Sequence, residues 1–188
     1  NPSLVGSEMC IRDSFNKPRG IICSSRPERN RKSIFSFLPN DSQENWKLVG
    51  RLDINTSGLI FFTNDGDLVN FLAHPKSSFD REYLVRARGT FDESIRKNML
   101  TGIKIENKIY QFSDIVLHEG SGSNKFFTVC LFSGKNKEVR KLFESMGLQV
   151  SRLKRLRYGP IFLPDNLAEG KFVELTDKDI IKIREYGK

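Results

Sequence analysis

The chain has 188 residues, of which 38% are hydrophobic, and its formal net charge is +8 at pH 7. This length suits one domain with a real core, and no segment approaches the ~20 apolar residues that a membrane-spanning helix needs. Three widely spaced cysteines, two isolated histidines and no phosphate-cradling glycine motif leave no basis for a disulfide framework, a metal site or a nucleotide cofactor, and we expect a reduced, cytoplasmic protein.

The chain begins with a segment that does not match the rest. Residues 1–14 show neither the alternation of a strand nor the apolar stripe of a helix, and we interpret them as an adaptor-like segment foreign to the fold. Residues 15–188 are then one domain. Its mixture of strands and helices, joined by mostly short connections, predicts the α+β class with a largely antiparallel mixed sheet flanked by helices.

Periodicity predicts the individual elements from there on. Strands are expected at 21–24, 46–49, 60–62, 81–88, 109–117 and 126–132. Helices are expected at 34–38, around 68–72, after the capping residue Asp92, over 139–146, and after the capping pair Thr176 and Asp179. Residues 150–158 have no clean period and receive no assignment.

The decapeptide GRLDINTSGL, residues 50–59, is the most specific chemical signal in the chain. It holds Asp53 on a loop bracketed by Gly50 and Gly58, directly before an apolar strand. A carboxylate on such a loop is well held for nucleophilic work. An aspartate that merely caps a turn is the competing interpretation of a short Arg-Leu-Asp string.

Basic residues are concentrated in one part of the chain. Residues 125–157 contain nine lysines and arginines against two glutamates, which is nearly all of the net positive charge. Such a segment indicates a polyanionic partner, most simply a nucleic-acid backbone. A solvated charged face is the alternative that composition alone leaves open.

The longer motifs resemble those of a known family. GRLDINTSGL closely resembles the catalytic motif of pseudouridine synthases of the Rsu family, which act on bacterial ribosomal RNA, and the likeness is strongest to the large-subunit members. FNKPRG at 15–20 is similar to the first family motif, and Arg81-Glu82-Tyr83 to the segment with the active-site tyrosine. GKNKEVRKLF at 134–143 and SRLKRLRYGPIFL at 151–163 follow later family stretches.

The resemblance implies a pseudouridine-synthase fold and a cofactor-free isomerisation of uridine in ribosomal RNA. Asp53 would be the nucleophile, and Arg140 would pair with it and keep it ionised. Tyr83 would stack on the extruded base. Leu153 would form the apolar floor beneath the uracil, with Leu156 as a competitor.

The remaining expected contacts involve RNA. Arg51 would fill the gap left by the flipped base. Lys17, Lys154, Arg155 and Arg157 are predicted to bind RNA, the last three through phosphates. We expect a monomer whose partner is ribosomal RNA and that has no contact with a membrane.

Two departures from the family pattern stand out. Glu138 occupies a position where glutamine is usual, which puts in doubt one contact, either with RNA or with residues that support the site. The small N-terminal RNA-binding module of the family is not part of this sequence, so binding or site choice is expected to be impaired even with intact chemistry.

Two other functions remain open at this point. One is a non-catalytic RNA-binding protein of ribosome assembly that uses the same basic surface. The other is a glycosidase that releases a base, because carboxylates also act at anomeric carbons. Convergence of Asp53, Tyr83 and Arg140 on one pocket would favour the isomerase.

Overall fold

A computed structural model describes residues 12–26, 30–38, 45–74, 77–120 and 122–186. Most of the predicted foreign segment, including Cys10, therefore lies outside the described residues. Residues 12–14 belong to the first strand of the fold. The boundary predicted after residue 14 stays a prediction.

The described residues form strands and helices with the following bounds. The strands are β1 Arg12–Lys17, β2 Lys47–Val49, β3 Ser57–Thr63, β4 Arg81–Arg88, β5 Ile103–Ile105, β6 Lys108–Tyr110, β7 Asp114–His118, β8 Asn124–Leu131, β9 Gln149–Tyr158, β10 Ile161–Phe162 and β11 Phe172–Glu174. The helices are α1 Gly66–Ala73, α2 Glu93–Thr101, α3 Glu138–Ser145 and α4 Asp177–Tyr186, with a 3-10 helix at Ile34–Phe37.

One large sheet organises the fold. Its strand order is β11-β1-β3-β9-β4-β8-β7, with β2 added to β3 and β10 to β9, which makes nine strands among the described residues. The pair β3–β9 is parallel and the other pairs are antiparallel. The predicted α+β fold with a largely antiparallel sheet is confirmed.

Two hydrophobic cores lie on opposite sides of β3, which is buried at every position. Ile60 and Phe62 belong to the core that includes residues of α2 and α3. Leu59 and Phe61 belong to the core that includes residues of α1 and α4. Alternation along a strand sends successive side chains to opposite faces, so β3 fixes the loop before it against both cores.

Elements with a strong local period are confirmed. β4 has the predicted bounds, and the Asp92 carboxylate accepts the N–H of Ile95 at 2.8 Å at the start of α2. The capping pair before α4 is present, because Asp179 accepts the Thr176 N–H at 3.0 Å.

Elements without such a period differ from expectation. The strand predicted at 21–24 is wrong, since Ile22 makes only an isolated bridge to Ser33. The strand predicted at 109–117 is divided between β6, which pairs with β5 in a second sheet, and β7 of the large sheet. Between them, Phe112 donates its N–H to the Met99 carbonyl at 2.9 Å. The unassigned stretch 150–158 is part of the central strand β9. Register shifts against β4 at two points interrupt its alternation.

None of the helices in the described ranges is both long and apolar enough to cross a lipid bilayer.

Candidate active site

A cavity of about 670 Å³ opens beside the loop that carries Asp53. This volume lies within the range of small-molecule and nucleotide sites. Asp53, Arg51, Tyr83 and Leu153 all contribute to its lining. Four of the five residues predicted for catalysis or substrate binding are thus brought together, although they come from distant parts of the chain.

Glycines at both ends of the Asp53 loop allow backbone conformations that other residues rarely adopt. Gly50 has φ of +73°, in the left-handed region that favours glycine. Gly58 has φ of +105°, and a Cβ there would lie 2.2 Å from the carbonyl oxygen of Arg155. Gly58 therefore permits the close parallel contact of β3 with β9, and this contact fixes where the loop ends.

Hydrogen bonds fix the loop between those glycines. The Thr56 N–H donates to the Asp53 carbonyl at 2.9 Å, and the Gly20 N–H donates to the Ile54 carbonyl at 2.8 Å. The Leu52 N–H donates to Cys23 Sγ at 3.4 Å. With so many backbone groups engaged, the half-buried Asp53 carboxylate has a defined position at the cavity wall.

Lys17 lies beneath this loop and is fully buried. Its Nζ donates to the carbonyl oxygens of Pro18 at 3.1 Å, Asp53 at 3.3 Å and Thr56 at 2.9 Å. Burial lowers the pKa of Lys17, and the charge of Asp53 is among those that oppose this shift. The predicted RNA contact of Lys17 is incompatible with this burial, and the side chain instead holds the Asp53 loop.

Tyr83 and Leu153 reach the cavity from neighbouring strands. In the β4–β9 pair, Tyr83 lies opposite Arg155 and Val85 lies opposite Leu153, so these four side chains share one face of the sheet. Tyr83 is 9% exposed and Leu153 is 5% exposed. Leu153, rather than its competitor Leu156, lines the cavity.

Arg140 approaches the Asp53 loop from α3 but does not contact the carboxylate. Among the described residues, no ion pair within 4.0 Å joins Arg140 to Asp53. The guanidinium donates to the carbonyls of Asn55 and Val150, each at 3.2 Å. Burial lowers the pKa of Arg140 and the nearby Asp53 charge opposes the shift. The predicted pairing is therefore corrected to a through-space attraction combined with a clamp on the loop.

Arg155 is a buried residue of the cavity wall, not a surface residue. It is 2% exposed, and its Nε donates to the Leu59 carbonyl at 2.7 Å. Its Nη2 has no hydrogen-bond partner among the described residues. The predicted contact with an external phosphate is incompatible with this burial, and Arg155 instead forms part of the cavity wall.

Arg157 lies on the side of the sheet opposite to the cavity, where two carboxylates bind it. Its guanidinium forms a two-point ion pair with Asp80, at 2.9 and 2.7 Å, and contacts Glu82 at 3.4 Å. These bonds raise its pKa, with the Asp80 hydrogen bond as the largest cause. The predicted phosphate contact is therefore replaced by a structural one. Lys154 is half-buried and lies on the side of β9 opposite to Arg155.

The cavity also contains residues that were not predicted as site residues. Arg81, Lys135 and Lys137 contribute to its lining. Arg81 donates to the Tyr158 hydroxyl at 2.9 Å and to the Phe132 carbonyl at 2.8 Å. Period-two alternation could have identified Arg81, because it lies two residues before Tyr83 on the same strand.

Glu138 binds the loop over residues 133–135, which also contributes to the cavity lining. It is 4% exposed, and its carboxylate accepts the Ser133 hydroxyl at 2.6 Å and the Lys135 N–H at 3.2 Å. Of the two contacts in doubt at this position, the structure has the supporting one, because the buried Glu138 carboxylate binds the loop at Ser133 and Lys135.

Metal ligands are not clustered in this region. Within the described part of the chain, no group of three or more His, Cys, Asp or Glu side chains could hold a metal ion. Cys23 also lines the cavity, and burial raises the pKa of its thiol.

Comparison with known proteins identifies relatives of the whole described fold. Residues 14–145 match the family model described as RNA pseudouridylate synthase. The chain is 43% identical over 172 residues to the ribosomal large subunit pseudouridine synthase B of Vibrio cholerae, covering 92% of this chain and 54% of that protein. It is 40% identical over 185 residues to the protein of the same name from Haemophilus influenzae, covering 98% and 52%. The chain thus spans about half the length of these relatives.

Solved structures give the same fold. A crystal structure of a pseudouridylate synthase superposes with a TM-score of 0.80 and 26% identity, covering 93% of this chain and 74% of that one. A chain of an H/ACA RNP bound to a substrate RNA containing 2′-deoxyuridine superposes with a TM-score of 0.58 and 18% identity, covering 85% and 50%. The second likeness is one of fold alone.

Proposed function

This chain belongs to the RNA pseudouridylate synthase family, and we propose that it converts a uridine of ribosomal RNA to pseudouridine, with Asp53 as the nucleophile and without a cofactor. The observation that carries this proposal is the meeting of Asp53, Tyr83 and Leu153 in one cavity. Arg140, the third residue expected to converge with Asp53 and Tyr83, does not line the cavity but bonds the Asn55 carbonyl of the Asp53 loop. The names of the relatives point to RNA of the large ribosomal subunit.

The reaction needs no redox partner. The bond between C1′ and N1 of uridine breaks, the uracil rotates, a bond from C1′ to C5 forms, and C5 loses its proton while N1 gains one. An Asp53 oxygen is suited to attack C1′ or the uracil ring, or to stabilise a glycal-type intermediate. The cavity wall around Tyr83 and Leu153 would keep the detached uracil beside the ribose.

Asp53 must be ionised to act as the nucleophile. Lys17 and Arg140 both attract it electrostatically, and neither forms an ion pair with it within 4.0 Å among the described residues. The Asp53 oxygens are thus left available to a substrate. Both cations also bond carbonyls of the loop, so they fix its position beside the cavity.

The mouth of the cavity supplies the expected contacts with RNA. Arg51, Lys135 and Lys137 are exposed there, and Arg51 is the candidate to fill the space of the extruded base. Tyr83 would stack on the uracil. The unpartnered Nη2 of Arg155 would donate to an oxygen of the target nucleotide. We propose further that the protein acts as a monomer in the cytoplasm.

The experiment is incubation of the chain with ribosomal RNA fragments, followed by mapping of pseudouridine and measurement of free uracil. The wild-type chain should form pseudouridine at a defined position and release no uracil. Asp53→Asn is nearly isosteric and should lower the rate by more than about a thousandfold. Asp165→Asn, at an exposed carboxylate outside the cavity, is the matched control and should not change the rate.

The outcomes separate the competing functions. Released uracil without pseudouridine would identify a glycosidase. Binding of RNA with neither product would favour a non-catalytic RNA-binding protein. Single-turnover conversion by Asp53→Asn at the wild-type rate would remove Asp53 from the mechanism.

A further inference from the structure

We propose that the face of β9, β4, β8 and β7 opposite the cavity is a second binding surface for the sugar–phosphate backbone of RNA. We call it the outer face. The class of partner rests on the proposed function, but the surface is separate from the cavity and contributes no residue to the chemistry.

Strand register defines the outer face. Across the four strands, Arg152 lies opposite Arg86, Arg86 opposite Phe126, and Phe126 opposite His118. Residues paired across strands share a face, and Tyr83, Val85 and Leu153 alternate with these residues onto the cavity face. Four strands at about 4.8 Å spacing give the row a width of about 14 Å, enough for several phosphates.

Basic residues dominate this face and are not neutralised. Among the described residues, no ion pair within 4.0 Å involves Arg86, Arg88, Arg152 or Lys154. Two acidic residues occur on the four strands, Glu82 and Asp114. Glu82 is engaged by Arg157, which leaves Asp114 as the opposing charge. The outer face is therefore complementary to a polyanion.

One cross-strand pair independently points to an anionic ligand. Arg86 and Arg152 lie directly opposite each other on adjacent antiparallel strands, an arrangement in which like charges destabilise a sheet. Arg86 Nε donates to Ser151 Oγ at 2.9 Å, which holds its guanidinium in position. An anion bridging the two arginines would turn their repulsion into a binding energy.

Aromatic and apolar side chains lie beside these cations. Phe126 is half-buried between Arg86 and His118, and Val116 is 43% exposed on the edge strand β7. His118 Nε2 is 2.7 Å from the Thr128 hydroxyl on the neighbouring strand. Exposed aromatic surface among cations suits contact with riboses and unpaired bases.

The test compares two RNAs and three double variants by the salt dependence of binding. One RNA is a short ribosomal hairpin that can fill the cavity alone, and the other is a longer fragment with flanking sequence. Arg152→Gln with Lys154→Gln removes charge from the outer face. Lys97→Gln with Lys178→Gln removes the same charge from exposed positions on α2 and α4. Arg152→Lys with Lys154→Arg keeps the charge of the outer face.

For the longer RNA, the first double variant should lower the slope of log affinity against log salt by about 1.4, as expected for the loss of two contacts to single-stranded phosphates. The other two double variants should keep the wild-type slope, and all four proteins should bind the short hairpin with one slope. Single-turnover conversion at saturating RNA should be equal in all four.

Equal slopes for all proteins on the longer RNA would overturn the proposal, as would an equal loss on the short hairpin. Failure of the wild-type chain to bind the longer RNA would overturn it too. A wild-type chain that makes no pseudouridine but shows the predicted slopes would remove the proposed function and leave the outer face as an RNA-binding surface.

Discussion

The two faces of β4 and β9 contain similar residues in opposite environments. On the cavity face, Arg155 is 2% exposed and bonds a backbone carbonyl. On the outer face, its sequence neighbour Lys154 is half-buried and has no ion pair among the described residues. They are consecutive residues of β9, so their side chains lie on opposite faces of the sheet.

The difference shows that a basic residue can act in two physical ways. A buried cation costs desolvation free energy and must be held by fixed acceptors, so it acts at one point with a defined geometry. A partly exposed cation without an ion pair keeps much of its hydration and attracts phosphates by releasing their counterions, so its effect depends on salt. A count of basic residues along the sequence does not distinguish buried cations from those that can bind phosphate.

Among these basic residues, Arg157 on the outer face should contribute most to the stability of the fold. Arg157→Met removes the cation that is paired with the largely buried carboxylates of Asp80 and Glu82, and should lower the free energy of unfolding by about 3–5 kcal/mol. Chemical denaturation measures this change. An unaltered free energy of unfolding would mean that Arg157 is free to bind phosphate, as the sequence suggested.

The same network predicts a dependence on acid. Burial works to raise the pKa of Asp80, but hydrogen bonds from Arg157 and Tyr186 hold it below the ordinary value of 3.8. The ion pair therefore contributes fully above that value, and its contribution is lost as the pH falls through the lowered pKa. The free energy of unfolding of the wild-type chain should therefore fall in strong acid as Asp80 is protonated. In Arg157→Met, which has no ion pair to lose, this part of the pH dependence should be absent.

The next effect concerns Cys130, which lies beside Glu82 at the edge of the outer face. Burial and the Glu82 carboxylate raise the pKa of its thiol from 9.0 to about 11. At pH 8 the thiolate fraction, and with it the rate of alkylation, should be about 100-fold lower than in the denatured chain. Peptide-resolved mass spectrometry after treatment with iodoacetamide measures that rate. Alkylation as fast as in denaturant would show that Glu82 does not face the thiol.

A smaller effect is expected on catalysis when Arg155 of the cavity face is replaced. Arg155→Lys keeps a cation that can bond the Leu59 carbonyl but loses the second nitrogen. The value of kcat/KM for pseudouridine formation should fall about tenfold, through KM if the contact exists before the transition state. An unchanged kcat/KM together with a lower melting temperature would assign Arg155 a structural role alone.

The smallest expected effect is on the stability of the Lys154→Gln variant. The side chain has no ion pair to lose among the described residues, so the free energy of unfolding should change by less than about 0.5 kcal/mol. The contrast with Arg157→Met is the control, because both positions are basic residues of β9. A loss as large as that of Arg157→Met would mean that Lys154 is held by a partner.

The features that depend on neighbouring residues could be predicted from the amino-acid sequence. The alternation of β4, the apolar stripe of α3 and the cap of α2 are set by neighbouring residues, and each is present where it is predicted. The Asp53 loop belongs to the same class, because glycines at its two ends allow the conformation that the loop requires.

The roles of the basic residues depend on contacts between distant parts of the chain and could not be predicted in this way. Lys17 is buried because the Asp53 loop covers it, and Arg157 is ion-paired because Asp80 and Glu82 lie across the strand. Arg155 and Arg157 are two residues apart and would share a face by simple alternation, but the register shift between them places them on opposite faces. Burial and charge pairing depend on chain segments far apart in sequence, and no local pattern records those distances.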